Sequence, residues 1–375
     1  MNLEIINVRS KKDLKRFIML PWSIYEGNDC WVPPLISDMK KTLNFKKNPL
    51  FAQGNGEIFL ARYGDKAVGR IMVGIDANLN QKKNAAMGYI SLFECIDDFE
   101  VAKALFDTAI NWLKNKGINV VRGPVSPSGA DADDYKGLLI DAFDKPPFLM
   151  NSYNPPYYKD LFEKYGFKKD NDLFAYYLDA DSVFTKDPSK AIQYAMKKYN
   201  FRIDTFDLKN LDKEIKDLKH VLDLSIPDEW PDLVPPTMEE VKEMARNLVS
   251  YADPDIVLIA RSGDEPIGFG IALPNYNIAL KHMNGRTNPI SLLKFLKYKK
   301  KIDCIRFFVM FVVPAFRKKG VSYAIYYQTF LNSSKKGYTW GEGSTIGEDN
   351  LRMRADIESF GGKRIKTYRM YIKEI

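Results

Sequence analysis

Residues 304–330 constrain the fold more than any other part of the chain. They begin with an almost uninterrupted apolar run, continue through a basic loop and end in the first turns of a helix. The run is made of β-branched, aromatic or otherwise bulky residues: Ile305, Phe307, Phe308, Val309, Met310, Phe311, Val312 and Val313. Such a run is too short to span a membrane, and it predicts a central strand that is buried on both faces. Pro314 ends this strand because proline has no backbone N–H to donate.

The loop after this strand has the composition of an anion-binding turn. Positive charge comes from Arg317, Lys318 and Lys319, and it is followed by the small residues Gly320 and Ser322. Glycine allows the backbone to come close to a ligand. The helix that follows offers unpaired N–H groups and the positive end of its dipole. The segment therefore predicts a phosphate site, and the alternative is an ordinary strand-to-helix turn with a solvated basic loop.

Length and composition narrow the class of protein. A chain of 375 residues predicts two domains, and 45% hydrophobic with 28% charged residues is ordinary for a globular protein. The sequence has no apolar run of 18 residues and no secretory leader, so we expect no membrane span and no membrane partner. Cys30, Cys95 and Cys304 are far apart and only two histidines are present, which predicts no disulfide, no metal and a cytoplasmic location.

The net charge of +8 has two explanations: the protein binds a polyanionic partner, or the charge keeps it soluble. The phosphates of coenzyme A and those of nucleic acid are the two candidates. Residues 294–301 form the densest basic segment, which we interpret as the solvated face of a helix that ends before the next strand. No zinc-finger spacing or RNA-recognition motif accompanies this segment, so the sequence argues against a nucleic-acid partner.

The same order of elements occurs twice in the chain. Each half shows a hairpin, a third strand, a helix, a strand, a helix that ends in glycine, and a closing strand. The segment 163–167 before the strand at 174–178 corresponds to the segment 358–362 before the strand at 368–372. A period of roughly 190 residues indicates two copies of one α/β unit rather than a solenoid. We place the two domains at residues 1–180 and 181–375.

The basic loop, Arg317-Lys-Lys-Gly-Val-Ser322, resembles the pyrophosphate loop of the GNAT-type N-acyltransferases. The pattern in that family is Arg/Gln-x-x-Gly-x-Gly/Ala, from which Ser322 departs at the last position. Both halves resemble GNAT domains and together cover nearly the whole chain. The resemblance implies two tandem domains, each a mixed, mostly antiparallel sheet flanked by helices. In the first half the corresponding segment after Glu94 is acidic and has no glycine, so we expect that copy to have lost CoA binding.

The resemblance also implies where acyl-CoA binds. In the family the fourth and fifth strands splay apart around the pantetheine, which would contact the backbone of Phe311, Val312 and Val313. The pyrophosphate would be held by Arg317 and by the amides of Lys318, Lys319, Gly320, Val321 and Ser322. Asn350 matches the asparagine that often opens the next helix beside CoA. Many members place a tyrosine general acid seven residues later, but position 357 is isoleucine here.

Acyl transfer to an amine requires removal of a proton and stabilisation of a tetrahedral intermediate. Glu342 and Glu348 are the candidate bases, because we expect residues 341–345 where the fifth strand ends near the thioester. Ser344 is the candidate proton donor to the leaving thiolate. A surface or helix-capping role explains Glu342 equally well. The aromatic segments 22–31 and 230–236 could line an acceptor pocket or pack in the core.

We therefore predict an acyl-CoA-dependent N-acyltransferase, of N-acetyltransferase type, that acts on a small amine or an amino-acid-like acceptor. Acetyl-CoA or another acyl-CoA would be the co-substrate, with no metal. One alternative is a non-catalytic tandem protein that binds CoA or a nucleotide, which the missing tyrosine favours. The other is an aminoacyl-tRNA-dependent transferase, which would use the basic surface. The sequence leaves the oligomeric state open.

Overall fold

The computed structural model describes residues 2–46, 48, 50, 54–130, 132–184, 187–226, 233–249 and 251–375. These residues form a mixed α/β fold with two compact units. The first unit contains residues 1–173, 277–300 and 366–375, and the second contains residues 174–276 and 301–365. Most of the last strand of the chain and a pair of helices from its second half thus belong to the first unit.

Strands and helices alternate along the chain. The strands are β1 Leu3–Asn7, β2 Gly56–Tyr63, β3 Lys66–Gly74, β4 Met87–Cys95, β5 Val120–Gly123, β6 Leu138–Leu139, β7 Lys168–Asp179, β8 Arg202–Thr205, β9 Val257–Ser262, β10 Glu265–Pro274, β11 Cys304–Val312, β12 Trp340–Gly347 and β13 Lys363–Glu374. The helices are α1 Lys11–Ile24, α2 Ile36–Thr42, α3 Ala77–Lys83, α4 Phe99–Lys114, α5 Tyr158–Tyr165, α6 Ala180–Phe184, α7 Ser189–Tyr199, α8 Leu211–Ser225, α9 Met238–Val249, α10 Asn277–Met283, α11 Pro289–Lys299, α12 Val321–Ser334 and α13 Leu351–Ser359.

The first unit is built on the strand order β1-β2-β3-β4-β5-β13, with β6 also paired to β13. The β4–β5 pair is parallel, whereas the pairs β1–β2, β2–β3, β3–β4, β5–β13 and β6–β13 are antiparallel, as predicted for a mixed, mostly antiparallel sheet. Aromatic rings fill the core between the sheet and helices α4 and α5: Phe93, Phe106, Phe162 and Phe167. Tyr371 of β13 joins this core, with its ring centroid 5.3 Å from that of Phe162.

The second unit repeats this plan with the order β12-β11-β10-β9-β8. Here β11 and β12 are the parallel pair, and β8, β9, β10 and β11 are joined in antiparallel fashion. Helix α12 takes the place that α4 has in the first unit and packs on β9, β10 and β11. Each unit therefore has one parallel strand pair whose strands are connected by a helix, β4–β5 with α4 in the first unit and β11–β12 with α12 in the second.

Residues 21–34 are rich in proline and aromatic residues, which favours a loop, and the structure corrects this expectation. Helix α1 continues through Pro21 and Trp22 to Ile24. A proline inside a helix leaves the carbonyl four residues earlier without its usual donor. In this chain that carbonyl belongs to Phe17, and it accepts a hydrogen bond from Arg70 Nη1 at 2.7 Å. The arginine replaces the missing N–H, which explains why the helix does not end at Pro21.

Replacing Tyr371 with alanine should destabilise the first unit selectively. The Tyr371 side chain is fully buried, packs on Phe162 and donates from its hydroxyl to Glu163 Oε1 at 3.0 Å. Truncating a buried aromatic residue costs about 3–5 kcal/mol. We expect hydrogen exchange in β5 and β13 to accelerate at urea concentrations that leave the second unit protected. Tyr194→Ala, at a side chain that is 65% exposed, is the control and should change neither unit. Equal loss of protection in both units would contradict the assignment of β13.

Candidate active site

The parallel strands β11 and β12 separate partway along their length. Their recorded pairing joins residues 304–307 to residues 340–343 and ends at Phe307 opposite Gly343. Beyond that point β11 remains paired with β10 as far as Val312, opposite Gly268. Strand β12 continues to Gly347 without β11 as its partner among the described residues. The splay that the resemblance implied is thus present in the second unit.

This separation overturns the prediction that the apolar strand is buried on both faces. Residues 304–306 are buried, but residues 307–312 are only half-buried. The loss of the β12 partner explains the change, because it exposes one edge of β11 and the apolar side chains beside that edge. The second half of β11 therefore presents a strand edge that β12 does not cover, and this edge lies among apolar side chains.

A β-bulge lies next to the point of separation. Val309 is opposite Ile271 and Phe307 is opposite Ala272, so Phe308 has no counterpart on β10. The extra residue of a bulge is left out of the hydrogen-bonded ladder. Phe308 therefore offers its backbone polar groups one residue past the last β11–β12 pair.

The loop between β11 and α12 is shaped by two residues with positive φ. Lys318 has φ of 63° and Gly320 has φ of 83°. This left-handed conformation is rare for residues other than glycine. At Gly320 a Cβ atom would also lie 3.2 Å from Ala195 Cβ. A glycine at position 320 satisfies both the backbone conformation and the close approach of α7.

The first turn of α12 has no side-chain cap within the described loop. Its first intrahelical bond runs from the Ala324 N–H to the Gly320 carbonyl at 2.9 Å. The N–H groups of Val321, Ser322 and Tyr323 precede that bond and have no intrahelical acceptor. Lys318 is exposed beside them. This helix end has the backbone donors and the charge that an anion requires.

The matching helix end in the first unit is capped by its own carboxylate. Asp98 accepts hydrogen bonds from the N–H groups of Glu100 at 2.9 Å and Val101 at 3.4 Å. The matching strand ends are also joined: Val125 donates to the Ile90 carbonyl at 2.9 Å, and Ser91 Oγ donates to the Val125 carbonyl at 2.8 Å. The same strand–helix junction is therefore closed and acidic in the first unit.

A buried carboxylate, Glu94, lies near the end of β4, where sequence reasoning recognised only acidic character. Glu94 Oε2 accepts from the Tyr158 hydroxyl at 2.7 Å and the Tyr25 hydroxyl at 3.0 Å, and Arg70 Nη2 lies 3.5 Å from Oε1. Burial raises the pKa of Glu94, although Arg70 and the two tyrosines act in the opposite direction. In the first unit this network lies near the end of β4. The corresponding strand of the second unit is β11, whose end separates from β12.

Arg317 has a structural role that the prediction of phosphate binding did not include. Its Nε donates to the Val312 carbonyl at 3.1 Å, and its Nη2 donates to the Ser225 carbonyl at 2.8 Å. The side chain thereby fixes the loop to the end of β11 and to the end of α8. Lys319 Nζ lies 4.7 Å from the Phe316 ring centroid, which leaves Lys318 as the more exposed positive charge of the loop.

The residues around α13 agree in part with the resemblance. Asn350 caps this helix, and its side chain accepts from the Met353 N–H at 3.2 Å. Ser322 Oγ donates to Asp356 Oδ2 at 3.1 Å. Ile357 is fully buried, and a Cβ at Gly343 would lie 2.5 Å from Ile357 Cδ1. Ile357, at the position where the family often has a tyrosine, therefore packs against β12. Its side chain has no acidic proton to donate.

The structure places the three predicted catalytic residues differently from the sequence expectation. Residues 341–345 do not end the fifth strand, because β12 runs from Trp340 to Gly347. Glu342 therefore lies in the paired half of β12, in register with Arg306, and both are fully buried. Ser344 is 3% exposed, whereas Glu348 is half-buried just beyond the strand. Only Glu348 combines partial exposure with a position past the end of β12.

Arg306 is the functional candidate that sequence reasoning missed. Its Nε and Nη2 donate to the Ser344 carbonyl at 3.2 Å and 3.0 Å, which links β11 to β12 one residue past their last pair. The signal was visible in the sequence, since Arg306 is the charged residue that interrupts the apolar run. These bonds satisfy a buried guanidinium at the place where the pairing of the strands ends.

The aromatic rings of the segment 22–31 pack on one another within the first unit. Trp31 stacks on Tyr25 with centroids 4.7 Å apart, and Trp22 meets Trp31 edge-on at 5.3 Å. Trp22 Nε1 donates to Asn284 Oδ1 at 2.7 Å. Residues 230–232 of the other segment lie outside the described residues. The ring contacts do not decide between an acceptor pocket and core packing, so the role of both segments stays a prediction.

Two curated bacterial proteins are similar to the chain along nearly its entire length. The bacterial ceramide synthase of Caulobacter vibrioides (strain NA1000 / CB15N) is 28% identical over 381 residues, covering 100% of this chain and 98% of its own. Protein YghO of Escherichia coli (strain K12) is 29% identical over 374 residues, covering 98% of this chain and 94% of its own. No protein-family model matches the chain.

Solved structures share the fold at low sequence identity. A tandem GNAT protein from the clavulanic acid biosynthesis pathway aligns with a TM-score of 0.60 and 13% identity, covering 100% of this chain and 98% of that one. A GCN5-related N-acetyltransferase from Sphaerobacter thermophilus aligns with a TM-score of 0.54 and 13% identity, covering 99% and 95%. Along nearly its whole length, the chain therefore has the fold of these GNAT proteins, one of which is a tandem GNAT protein.

Proposed function

We propose that the protein is an acyl-CoA-dependent N-acyltransferase whose cofactor site lies in the second unit. The observation that carries this proposal is the uncapped start of α12, with Lys318 beside it, at the end of the exposed edge of β11. The first unit is the internal comparison, because Asp98 caps its corresponding helix. A diphosphate would meet N–H donors at α12 and a carboxylate at α4.

The pantetheine arm would pair with the edge of β11 that β12 leaves open. Backbone groups of residues 308–312 would bond its amides, and the half-buried apolar side chains would cover its hydrocarbon. The diphosphate would then reach the amides of Lys318, Lys319, Gly320, Val321 and Ser322. The Ser322 hydroxyl donates its hydrogen bond to Asp356, so the ligand would bind the backbone N–H of Ser322 instead.

The reaction would begin with attack of the acceptor amine nitrogen on the thioester carbonyl. A new C–N bond forms, the C–S bond breaks, the amine proton passes to a base, and the thiolate receives a proton. The bulge amide of Phe308 is the candidate donor to the oxyanion. We favour Glu348 as the base, since Glu342 is buried in register with Arg306. Ser344 remains the candidate donor to the thiolate, directly or through water.

The acceptor class has two candidates. The sequence led us to expect acetyl transfer to a small or amino-acid-like amine. A ceramide is an N-acylated long-chain amino alcohol, so the name of the Caulobacter relative favours a long-chain amine and a longer acyl group. Release of free thiol from acetyl-CoA and from palmitoyl-CoA, each offered ethanolamine, serine or a long-chain amino alcohol, distinguishes the two acceptor classes.

Reversing the charge of the loop should abolish CoA binding. Lys318→Glu/Lys319→Glu places two negative charges beside the proposed diphosphate, and we expect the dissociation constant for free CoA to rise at least about tenfold. Isothermal titration calorimetry measures it directly, and the thermal shift caused by CoA should vanish in parallel. Lys114→Glu/Lys116→Glu, at two exposed lysines of the first unit, is the matched control.

Three results would separate the alternatives. Unchanged CoA binding by Lys318→Glu/Lys319→Glu would remove the proposed site. CoA binding without thiol release for any acceptor would favour the non-catalytic binder, which the burial of Ile357 also favours. Absence of any CoA response, together with retention on tRNA that weakens steeply with salt, would favour the aminoacyl-tRNA-dependent transferase.

The base assignment predicts different outcomes for two glutamine variants. Glu348→Gln should retain CoA binding and melting temperature while kcat falls by about 10²–10⁴-fold, and the acid limb of the pH–rate profile should disappear. Glu342→Gln should instead lower the melting temperature, because the charge of Arg306 would lose a carboxylate in register. A normal pH profile for Glu348→Gln would rule Glu348 out as the base.

A further inference from the structure

Helix α11 exposes apolar side chains to solvent. Ile290, Leu292, Leu293 and Leu296 are 68%, 47%, 68% and 58% exposed. A helix on the surface of a globular protein normally buries its apolar stripe and presents polar residues outward. An exposed apolar patch on a short helix of this kind marks an interaction surface.

The opposite face of α11 is already used for packing within the first unit. Ser291 is buried, and Phe295 and Tyr298 are half-buried. The Tyr298 ring stacks on His282 of α10 with centroids 3.4 Å apart. With 3.6 residues per turn, Leu292, Leu293 and Leu296 lie on the side away from this contact. The helix is therefore held by one apolar face and presents a second.

Lysines border the exposed apolar face. Lys294 and Lys297 lie on one side of it, Lys299 lies on the other, and Lys300 follows the helix end; all four are exposed. Lysine side chains can lay their hydrocarbon stems along an apolar surface while the ammonium reaches a polar layer. The interpretation of residues 294–301 as a solvated helix face accounts for these lysines but not for the leucines between them.

We propose that α11 is a membrane-surface helix that binds anionic phospholipid bilayers. Its leucines would enter the boundary between headgroups and acyl chains, and its lysines would contact lipid phosphates. None of the helices in the described part of the chain has the length and apolar character to cross a membrane. A helix that lies in the plane of the surface does not need to cross it. The proposal revises our expectation of no membrane partner, and it does not depend on acyl transfer.

Charge selects a lipid surface over a second copy of the chain. In a two-fold interface the same patch meets itself, so the lysines that border one α11 would approach those that border the other. Like charges placed together in an interface disfavour association. An anionic bilayer offers an apolar interior for the leucines and negative phosphates for the lysines. The net charge of +8 acts in the same direction.

Vesicle sedimentation of the full-length protein tests the proposal. We expect binding to vesicles of phosphatidylcholine with phosphatidylglycerol, little binding to phosphatidylcholine alone, and weakening of binding with salt. Leu293→Ser/Leu296→Ser should reduce the partition coefficient about tenfold or more. Leu224→Ser/Met244→Ser removes two apolar side chains that are 49% and 45% exposed elsewhere and should bind like the wild type.

A second pair of variants tests the lysines. Lys294→Gln/Lys297→Gln/Lys300→Gln should lose the preference for anionic vesicles, whereas Lys40→Gln/Lys114→Gln/Lys116→Gln, which removes equal charge from other exposed sites, should keep most of it. Unchanged melting temperatures would show that all variants are folded. The proposal is overturned if the wild-type protein does not bind anionic vesicles, or if Leu293→Ser/Leu296→Ser binds them as well as the wild type does. It is also overturned if those leucines affect only self-association or binding to another protein.

Discussion

The separation of β11 from β12 is the constraint on which the candidate site depends. Residues 304–307 keep a parallel partner, whereas residues 308–312 keep only β10. The first three residues of this strand are therefore buried, whereas its second half is half-buried and has an edge that β12 does not cover. The bulge at Phe308, the half-buried apolar edge and the loop to α12 follow from this single change of partner. An extended ligand with amide groups matches the edge that results.

The two units show how one architecture can gain or lose a ligand site through a few polar groups. Both units have a parallel pair whose recorded pairing stops early, at Tyr89 in the first and at Phe307 in the second. In the first unit hydrogen bonds through Val125 join the strands again, and Asp98 satisfies the helix end. In the second unit the helix starts at a glycine and the loop carries lysines. The fold is common to both, and the electrostatics of the junction differ.

Much of the architecture could be predicted from the sequence because local rules and long-range packing agree. The hairpins, the amphipathic helix α4, the glycine that ends α5 and the Asn350 cap are signals of this kind. The departures have long-range causes. Helix α1 passes through Pro21 because Arg70, fifty residues away, supplies the missing donor. The exposure of the second half of β11 depends on the point at which β12 stops pairing with it, at Phe307 opposite Gly343. The composition of β11 carries no information about that point.

The same distinction between local and long-range causes applies to the proposed site residues. The backbone groups proposed at the loop and the cap at Asn350 depend on local sequence, so a motif can indicate them. The surroundings of Glu342 and Arg317 depend on register and on distant carbonyls, so the sequence could not supply them. The exposed leucines of α11 belong to the same class. Their spacing is helical, but only the fold reveals that the helix packs through its other face.

Arg306 lies at the point where β11 and β12 separate, next to the proposed ligand site. A buried charge is costly unless its hydrogen bonds are satisfied, and Arg306 reaches across from β11 to the Ser344 carbonyl of β12. That carbonyl lies one residue past the last β11–β12 pair, so the ladder itself supplies it no donor from β11. The guanidinium therefore replaces the next rung of the ladder while the backbones move apart. An apolar residue at position 306 could bury the same area but could not make this bond. The charge near the start of the apolar run thus joins the two strands at the place where their pairing ends, next to the edge that we propose for the ligand.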